Sequence, residues 1–380
     1  MKGELELDYS FEGYKRDSGR AGIRNHIGVI CSVVCSSVVA REISEKVTGA
    51  VPFVHGNGCA QLGDDFKLTK NMLAGVSSNP NLYSALLVGL GCETNQISGL
   101  LESIPKTKPI KGIGIQQLAG GENTILQGVE IAEQWSREAA SQKRERLPLS
   151  SLTVGILPVD MDEDALNRMA PVIGGVVDRL VERGANVLYG LSQTLEPAGR
   201  ILSERSEGED ERKRLISIGE GLQRRRWKEV SNGSLTYDDF SEQEKARAIL
   251  EAKMTGMHPI TSVLGYSEIP AKKGLHLITV PNNIVEALSN MASSGCNLVI
   301  IVSSRGVLTG SLALPCMTVA PQNPNEAFDE LIDYTVTTEG VSDQVEAIIT
   351  SLIEVCSGKK TNLEKLDLGE FSIPHVGTTF

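Results

Sequence analysis

The chain has 380 residues, of which 41% are hydrophobic and 22% are charged, so it belongs with folded globular proteins and is long enough for two domains. Its net charge of −11 and its aromatic content of only 4% argue against a nucleic-acid-binding surface, which needs clustered cations or stacking rings. The 38 glycines favour an α/β enzyme in which glycine ends many strands and helices.

The first residues, Met1-Lys2-Gly3-Glu4, are charged and do not lead into the apolar run of a signal peptide. No apolar segment reaches the roughly 20 residues that span a bilayer. We therefore expect a cytoplasmic protein that does not contact a membrane. Seven cysteines in a cytoplasmic chain of this length predict free thiols, a few of them ligands, and not a disulfide framework.

Strand-like and helix-like segments alternate along the first part of the chain, after a loop rich in glycine and charge at 13–26. The segments are predicted as strands at 27–34, 50–54, 85–90 and 110–115 and as helices at 37–47, 66–77, 94–104 and about 123–142. This alternation is the pattern of a parallel sheet that is covered by helices on both faces.

The charged, proline-ended stretch 141–148 predicts a linker, and the alternation restarts after it. Strands are predicted at 152–157, 186–190, 276–280 and 298–303, and helices at 165–184, 284–293 and 342–356. A long charged region near 196–253 contains Arg224-Arg225-Arg226, and such runs on helices are usually solvated faces. The sequence predicts an α/β protein of two Rossmann-like lobes, each a mainly parallel sheet flanked by helices. Residues 10–145 form the first lobe, and 150–370 form the second with a charged helical insertion.

Three short polar clusters each follow a predicted strand of the first lobe. They are Cys35-Ser36-Ser37, His55-Gly56-Asn57-Gly58-Cys59 and Gly91-Cys92-Glu93-Thr94-Asn95. Because parallel strands end at the same edge of a sheet, we expect the clusters to open into one crevice. Thiolates, an imidazole and a carboxylate together suit a transition metal or an iron–sulfur centre.

The cysteines of these clusters have two interpretations. Cys35, Cys59, Cys92 and His55 would hold a divalent metal with one coordination position open, which a Lewis-acid catalyst requires. In the alternative, the three cysteines are small buried hydrophobic residues of an enzyme without metal, and His55 is structural.

Two arginines and an asparagine are candidate anion clamps. Arg24 and Asn25 lie just before the first strand, and Arg305 follows the strand predicted at 298–303. An arginine in such a place can bind a substrate carboxylate with two hydrogen bonds. Alternatively, Arg24 and Asn25 pin the first loop by donating to backbone carbonyls.

Two other chemistries are poorly supported. Gly112-Ile113-Gly114 lacks the third glycine and the spacing of a dinucleotide-binding fingerprint, so no nicotinamide cofactor is expected. Ser36 and Ser37 have no identifiable partners for a catalytic triad, which argues against a serine hydrolase.

The order of these motifs resembles that of the altronate and galactarate dehydratase family, which includes the large subunit of sulfolactate sulfo-lyase. The matching residues are Gly13-Tyr14, Gly19-Arg20, Gly22, Arg24-Asn25, Cys35-Ser36, His55, Gly58-Cys59, Gly89-Leu90-Gly91-Cys92-Glu93 and Asn95-Gln96. The similarity is specific through about residue 130. It continues more thinly through Gly256, His258-Pro259-Ile260 and Ser303-Ser304-Arg305-Gly306.

This resemblance implies a lyase that removes water from a sugar acid or a related hydroxy acid to give a 2-keto acid, with Fe²⁺ or another divalent metal as cofactor. His55 or Glu93, whichever is not bound to metal, would take the proton α to the carboxylate. The residues expected to hold the acid are Arg24, Asn25, Asn57, Asn95 and Arg305. Members of the family often carry a small amino-terminal domain or a small separate subunit, so we expect a small partner subunit, and also a homo-oligomer.

The second lobe departs from the family pattern. Where relatives have Cys-Gly-Gly-Ser-Asp after the first strand of this lobe, the chain has Pro158-Val159-Asp160-Met161-Asp162, in which only Asp162 keeps its chemical type. Ser303-Ser304-Arg305-Gly306 replaces a Thr-Gly-Arg-Gly sequence. These departures support an alternative function, a catalytically silent paralogue that binds a metabolite or supports another subunit.

Overall fold

The computed structural model describes residues 9–191, 193–216, 241–322, 326–338 and 340–375. Two short strands come first, β1 (Ser10–Lys15) and β2 (Ala21–Gly22). They pair antiparallel through Tyr14 with Gly22 and Lys15 with Ala21. The stretch 13–26, predicted as a loop, therefore contains a small hairpin.

The first lobe is built on four parallel strands. They are β3 (His26–Cys31), β4 (Ala50–Phe53), β5 (Leu82–Gly89) and β6 (Ile110–Gly114), in the order β4-β3-β5-β6. The helices of this lobe are α1 (Ser37–Glu45), α2 (Gly63–Ser77), α3 (Ile97–Ser103) and α4 (Gly121–Ser141). Strands β3 and β5 are almost wholly apolar because helices cover both faces of the sheet.

The stretch predicted as a linker contains β7 (Glu145–Pro148), which pairs antiparallel with β1. Arg144, just before β7, donates hydrogen bonds to the carbonyls of Glu12, Ile23 and Cys356. The connection between the lobes is thus held by main-chain pairing and by an arginine that joins distant segments.

The second lobe is built on a parallel sheet of seven strands. Its strands and those of a separate two-stranded pair are β8 (Thr153–Val159), β9 (Asn186–Leu191), β10 (Ile260–Leu264), β11 (Leu275–Thr279), β12 (Leu298–Ser303), β13 (Gly310–Ser311), β14 (Cys316–Pro321), β15 (Tyr334–Val336) and β16 (Gly369–Glu370). The order in the large sheet is β10-β11-β9-β8-β12-β14-β15, and β13 pairs with β16. The prediction of an α/β fold with two mainly parallel, Rossmann-like lobes is confirmed.

The helices of the second lobe cover the large sheet and the end of the chain. They are α5 (Glu163–Glu182), α6 (Gly199–Glu204), α7 (Glu242–Lys253), α8 (Ile284–Ser293), α9 (Val341–Cys356) and α10 (Asn362–Lys365). The region predicted as a charged helical insertion contains α6, a helical stretch at 209–216 and α7. Its triple arginine, Arg224 to Arg226, lies outside the described residues. Within the described ranges, no helix has the length and apolar character needed to cross a membrane.

The two lobes pack through helices α2 and α8. A Cβ atom added to Gly75 would lie 2.4 Å from the carbonyl oxygen of Ser293, which shows how closely the carboxyl-terminal halves of these helices approach. Near their amino ends, His375 lies 3.7 Å from Asp65 and interacts electrostatically with Glu286. The helices therefore run in the same direction. Since each helix runs antiparallel to the parallel strands it covers, the carboxyl edges of both sheets face the same side of the molecule.

Candidate functional site

The three polar clusters follow β3, β4 and β5 and lie side by side at the carboxyl edge of the first sheet. The amide of Val34 donates to the carbonyl of Asn57 at 2.9 Å, which joins the first two loops. The hydroxyl of Ser36 donates to the carbonyl of Val88 at 2.7 Å, which joins the first loop to the end of β5. Because β4 and β5 lie on opposite sides of β3, the strand order reverses between β3 and β5, and such a switch point is the usual ligand site of an open α/β sheet.

Gly58 allows two of these loops to approach each other. Its φ of +100° lies in the left-handed region, and an added Cβ would lie 2.6 Å from the carbonyl oxygen of Ser32 and 2.9 Å from the Cα of Val33. Only glycine satisfies both conditions without strain. The glycine before Cys59 is therefore explained by the contact between the loops.

His55 is buried, and both of its ring nitrogens are bonded to the backbone. Nε2 lies 3.0 Å from the carbonyl oxygen of Cys31, and Nδ1 accepts from the amide of Asn57 at 3.1 Å. A carbonyl only accepts, so the proton of the neutral ring is on Nε2. Burial lowers the pKa of His55 to about 4, and the bond with Cys31 opposes this shift. In this arrangement the ring positions the loop, and neither nitrogen is available for a proton or a metal.

Glu93 lies at the switch point between β3 and β5 and is only 4% exposed. One carboxylate oxygen accepts from the hydroxyl of Ser32 at 2.9 Å, and the other accepts from the amide of Gly91 at 2.6 Å. A Cβ on Gly89 would lie 2.2 Å from this carboxylate, so glycine is needed at the end of β5. The carboxylate is therefore held in a fixed position by groups from two adjacent loops.

The two asparagines predicted to bind substrate are in different environments. Asn57 donates from Nδ2 to the carbonyl of Ile373 at 2.9 Å, which ties its loop to the carboxyl-terminal segment. Asn95 donates weakly to the carbonyl of Phe66 at 3.3 Å, and its Oδ1 is buried without a hydrogen-bond partner in the described part of the chain. Asn95 thus keeps an acceptor that a bound hydroxyl can satisfy.

Cys35, Cys59 and Cys92 are exposed, so the alternative that they are buried core residues is wrong. The cysteines that fill the core are Cys31, Cys296, Cys316 and Cys356. However, among the described residues no group of three His, Cys, Asp or Glu side chains is close enough together to hold a metal ion. Because the nitrogens of His55 are also occupied, the residues predicted as ligands do not fit a metal in this arrangement.

Every N–H group of the Arg24 side chain donates to an acceptor inside the protein. Its five N–H groups make five hydrogen bonds, two to the carboxylate of Glu364 and three to backbone carbonyls. Asn25 accepts from Arg16 at 2.8 Å and donates to the carbonyl of Ala139 at 2.9 Å. These contacts are those of the pinning alternative, and they leave Arg24 no donor for a substrate.

Arg305 lies at the carboxyl edge of the second sheet, in the loop after β12. Ser303 shapes this loop, because its hydroxyl accepts from the amides of Arg305 and Gly306 at 3.3 and 3.1 Å. The neighbouring loop after β8 contains Asp162, which accepts from the amide of Ala165 and so caps the first turn of α5. The structure therefore places Arg305 on a different sheet from the thiols, Glu93 and His55.

Comparison with protein families matches almost the whole chain. A model described as "D-galactarate dehydratase/Altronate hydrolase, second domain" matches residues 13–140, and one described as "D-galactarate/Altronate dehydratase, C-terminal" matches residues 162–379. The chain belongs to the galactarate and altronate dehydratase family. The first match includes all three polar clusters. The second begins just before α5 and includes every strand of the large sheet except β8.

Individual relatives in this family are distant. The altronate dehydratase of Bacillus subtilis (strain 168) is 28% identical over 97% of the chain and 78% of its own length, and that of Escherichia coli (strain K12) is 26% identical over 98% and 79%. The (2R)-sulfolactate sulfo-lyase subunit beta of Chromohalobacter salexigens is 25% identical over 97% of both proteins. The resemblance stated from the motifs is thereby confirmed.

Three functional candidates of this family member were not found from its sequence. Ser32, which holds Glu93, lies directly after β3 but inside the strand predicted at 27–34, so its place in the sequence carried no signal. Asp160 and Arg247 line a cavity of about 360 Å³ at the carboxyl edge of the second sheet, and in the sequence Arg247 is one of many charged residues in a predicted helical region. Only the fold brings Ser32 to Glu93, and Arg247 to the loop that contains Asp160.

Proposed function

We propose that this member of the family is a hydro-lyase that removes water from a sugar acid to give a 2-keto acid at the carboxyl edge of the first sheet. The relatives named as altronate and galactarate dehydratases support the reaction class. The observation that carries the location is the fixed, buried carboxylate of Glu93 at the switch point. The exposed thiols and the Oδ1 of Asn95, which has no partner in the described ranges, belong to the same group of loops.

Glu93 is the proposed general base. It takes the proton α to the substrate carboxylate, the electron pair forms the carbon–carbon double bond, and the β-hydroxyl leaves as water after receiving a proton. The resulting enol becomes the 2-keto acid. His55 is assigned to holding the loop, because a base needs a free nitrogen. Arg305 stays a predicted carboxylate-binding residue.

The cofactor is a separate part of this proposal. Fe²⁺ or another divalent metal, or an iron–sulfur centre, remains the prediction from the thiols and from the family resemblance. The side chains do not form a ligand set as they stand, so no step above depends on it.

The test compares Glu93→Gln with the parent on a panel of six-carbon sugar acids, with 2-keto acid formation as the readout. Loss of the base should lower kcat by about 100-fold or more, while Glu102→Gln, an exposed glutamate on α3, should leave it unchanged. Equal rates for Glu93→Gln and the parent would remove Glu93 from the mechanism. A parent that turns over none of the acids, with or without added Fe²⁺, would support the silent paralogue instead.

A partner is also proposed for this edge. Three apolar side chains beside the thiols are exposed: Val34 by 39%, Val38 by 62% and Leu62 by 80%. The sulfo-lyase relative is named as a subunit beta, and about a fifth of each altronate dehydratase relative lies outside the match. A small module that covers these side chains fits both facts. The part of the Bacillus subtilis protein outside the match should bind the parent chain but not Val38→Glu, and equal binding would refute the surface.

A further inference from the structure

Four cationic side chains lie together at the amino edges of the two sheets, on the side of the molecule opposite the three polar clusters. Arg16 and Arg20 belong to the turn between β1 and β2. Lys108 precedes β6 of the first lobe, and Lys273 precedes β11 of the second. Arg20 donates to the carbonyl of Gly295, just after α8, so its side chain reaches from the amino-terminal hairpin to the second lobe. These four residues are called the cation cluster below.

Hydrogen bonds and electrostatic interactions show that the members of the cation cluster are neighbours. Lys108 and Arg16 both donate to carbonyls of residues 79–82, at 3.0 and 2.8 Å. Burial lowers the pKa of Lys108 well below its usual value, and repulsion from Arg16 and Arg20 lowers it further. Burial also lowers the pKa of Lys273, and repulsion from Arg20 adds to this shift. Each cation is therefore close enough to another member of the cluster to be repelled by it.

No carboxylate neutralises the cation cluster within the described parts of the chain. Acidic residues outnumber basic ones by 48 to 37 in the sequence, yet none of the four cations forms an ion pair with a described residue. Arg16 donates to three carbonyl or amide oxygens besides that of Pro80, and all of these acceptors are uncharged. Lys273 donates to the carbonyl of Ser150 at 2.6 Å. These bonds fix the side chains and leave their positive charge in place.

Two helix ends offset only part of this charge. Helices α2 and α8 both end on this side of the molecule, after Ser77 and Ser293, and their carboxyl ends together carry about one unit of negative charge. The carbonyls of Asn79 and Gly295, which accept from Lys108 and Arg20, lie just beyond these ends. Even with Lys108 neutral, about two units of positive charge remain without a counter-ion. A purely structural role of capping the helices therefore leaves an excess of charge.

Arg20 has the hydrogen-bond donors that an anion needs. It donates to Gly295 through Nη2, and its other N–H groups have no acceptor among the residues that the structure describes. The guanidinium lies against the backbone of Gly295, since a Cβ added there would be 2.8 Å from Cζ of Arg20. A half-buried guanidinium that is fixed in this way can bind an oxyanion with two parallel hydrogen bonds.

We propose that the cation cluster binds a phosphoryl dianion between the amino edges of the two lobes, with Arg20 donating two hydrogen bonds and Lys108 and Lys273 contributing charge from either lobe. A dianion matches the remaining charge of about two units, which a monocarboxylate would leave half neutralised. The bound anion would join the hairpin to both lobes. The proposal goes beyond the hydro-lyase function, because it concerns the opposite edge of the sheets and does not depend on catalysis.

The experiment measures the dissociation constants of inorganic phosphate and of glycerol 3-phosphate for the full chain by calorimetry, at constant ionic strength in chloride. Tighter binding of the ester would identify a phosphorylated metabolite as the ligand, and equal binding would identify free phosphate. Arg20→Met should weaken the binding of both by about tenfold or more, because it removes the fixed pair of donors. Arg168→Met is the matched control and should bind phosphate like the parent, since Arg168 also donates to a single carbonyl, that of Gln322, away from the cation cluster.

A second variant guards against damage to the junction of the lobes. Lys273→Gln keeps a donor for the carbonyl of Ser150, so it should melt like the parent while it weakens phosphate binding by about threefold or more. Phosphate should also raise the melting temperature of the parent and protect the amides of residues 16–21 and 294–297 from hydrogen exchange.

Three results would overturn the proposal. The first is a melting temperature that phosphate raises no more than chloride does at the same ionic strength. The second is unchanged phosphate affinity in both Arg20→Met and Lys273→Gln. The third is protection confined to the loops at the carboxyl edges of the sheets, which would place the anion at the other side of the molecule.

Discussion

The loops at the carboxyl edges of the two sheets differ in backbone conformation and in how their polar side chains are bonded. At the first edge the close contact between loops is made at a left-handed glycine, Gly58, although Ala60 beside it also has a positive φ, of +53°, and the polar side chain of Glu93 is bonded to neighbouring loops. At the second edge a left-handed position is an aspartate, Asp160, and Arg247 keeps a buried nitrogen without a partner in the described ranges.

This difference shows how each edge is prepared for a ligand. The first edge is a closed network in which loops touch and a carboxylate is already oriented, an arrangement suited to a reacting group that must not move. The second edge has a cavity and a cation, Arg247, whose buried Nε has no hydrogen-bond partner in the described ranges. Adding a Cβ at Gly58 should therefore cost stability, whereas replacing Asp160 by glycine relieves its positive φ.

The largest expected effect is on Gly58. Gly58→Ala imposes a side chain at a φ of +100° and places its Cβ 2.6 Å from the carbonyl oxygen of Ser32, so the free energy of unfolding should fall by about 2–4 kcal/mol. Gly56→Ala in the same loop meets no atom within 4 Å and should change stability by less than about 0.5 kcal/mol. Urea unfolding of both variants measures the difference. Equal stability would mean that the loops of the first edge are not in close contact.

The fold was largely predictable because its local periodicity is strong. Helix α8 and strand β12 lie at the residues predicted, since each is an apolar run with clear polar ends. Strands β1 and β7 were missed because their pairing joins residues more than 130 positions apart and leaves no local pattern. Sequence periodicity reports the burial of one segment, and it carries no information about which distant segment pairs with it.

The site was predictable in its location and less so in its chemistry. The positions after β3, β4 and β5 follow from the parallel sheet. The bonding of Arg24 to Glu364, 340 residues away, does not, and it changes a proposed substrate clamp into a structural pin. His55 likewise carries the residue type of a base, but its two backbone bonds depend on distances that only the folded chain defines.

An effect of intermediate size is expected from His55, whose titration should make the free energy of unfolding depend on pH. Its pKa is about 4 in the folded protein and about 6.5 in the unfolded chain, so between these values the unfolded chain binds more protons. Stability should fall as the pH drops from about 6.5 to 4, by up to about 1.4 kcal/mol per pH unit from this group. His55→Gln should show a shallower slope than the parent in urea unfolding at several pH values.

The comparison of slopes isolates His55 from other groups. His26 and His276 also have pKa values lowered to about 4 by burial, so the parent slope has several sources, and the informative quantity is the difference between variant and parent. An identical slope would mean that His55 is protonated in the folded protein. If the ring only positions its loop, His55→Gln should also keep more of the 2-keto acid activity than Glu93→Gln does.

The smallest expected effect on stability comes from substitution of an exposed thiol. The iron content of the same variants tests the metal prediction. Cys59→Ser changes an exposed side chain and should cost less than about 0.5 kcal/mol, whereas Cys296→Ser buries a hydroxyl in the core and should cost about 1–3 kcal/mol. Iron is measured per chain after anaerobic purification with Fe²⁺. Because burial raises the pKa of the Cys296 thiol to about 12, it is a poor ligand, so Cys296→Ser should keep any iron that the parent binds. Loss of iron in Cys59→Ser would show that this thiol is a ligand and that the loops rearrange to bind the metal. Full iron content in Cys59→Ser would show that the thiol of the His-Gly-Asn-Gly-Cys loop is not a ligand, and absence of iron from the parent would remove iron from the site altogether.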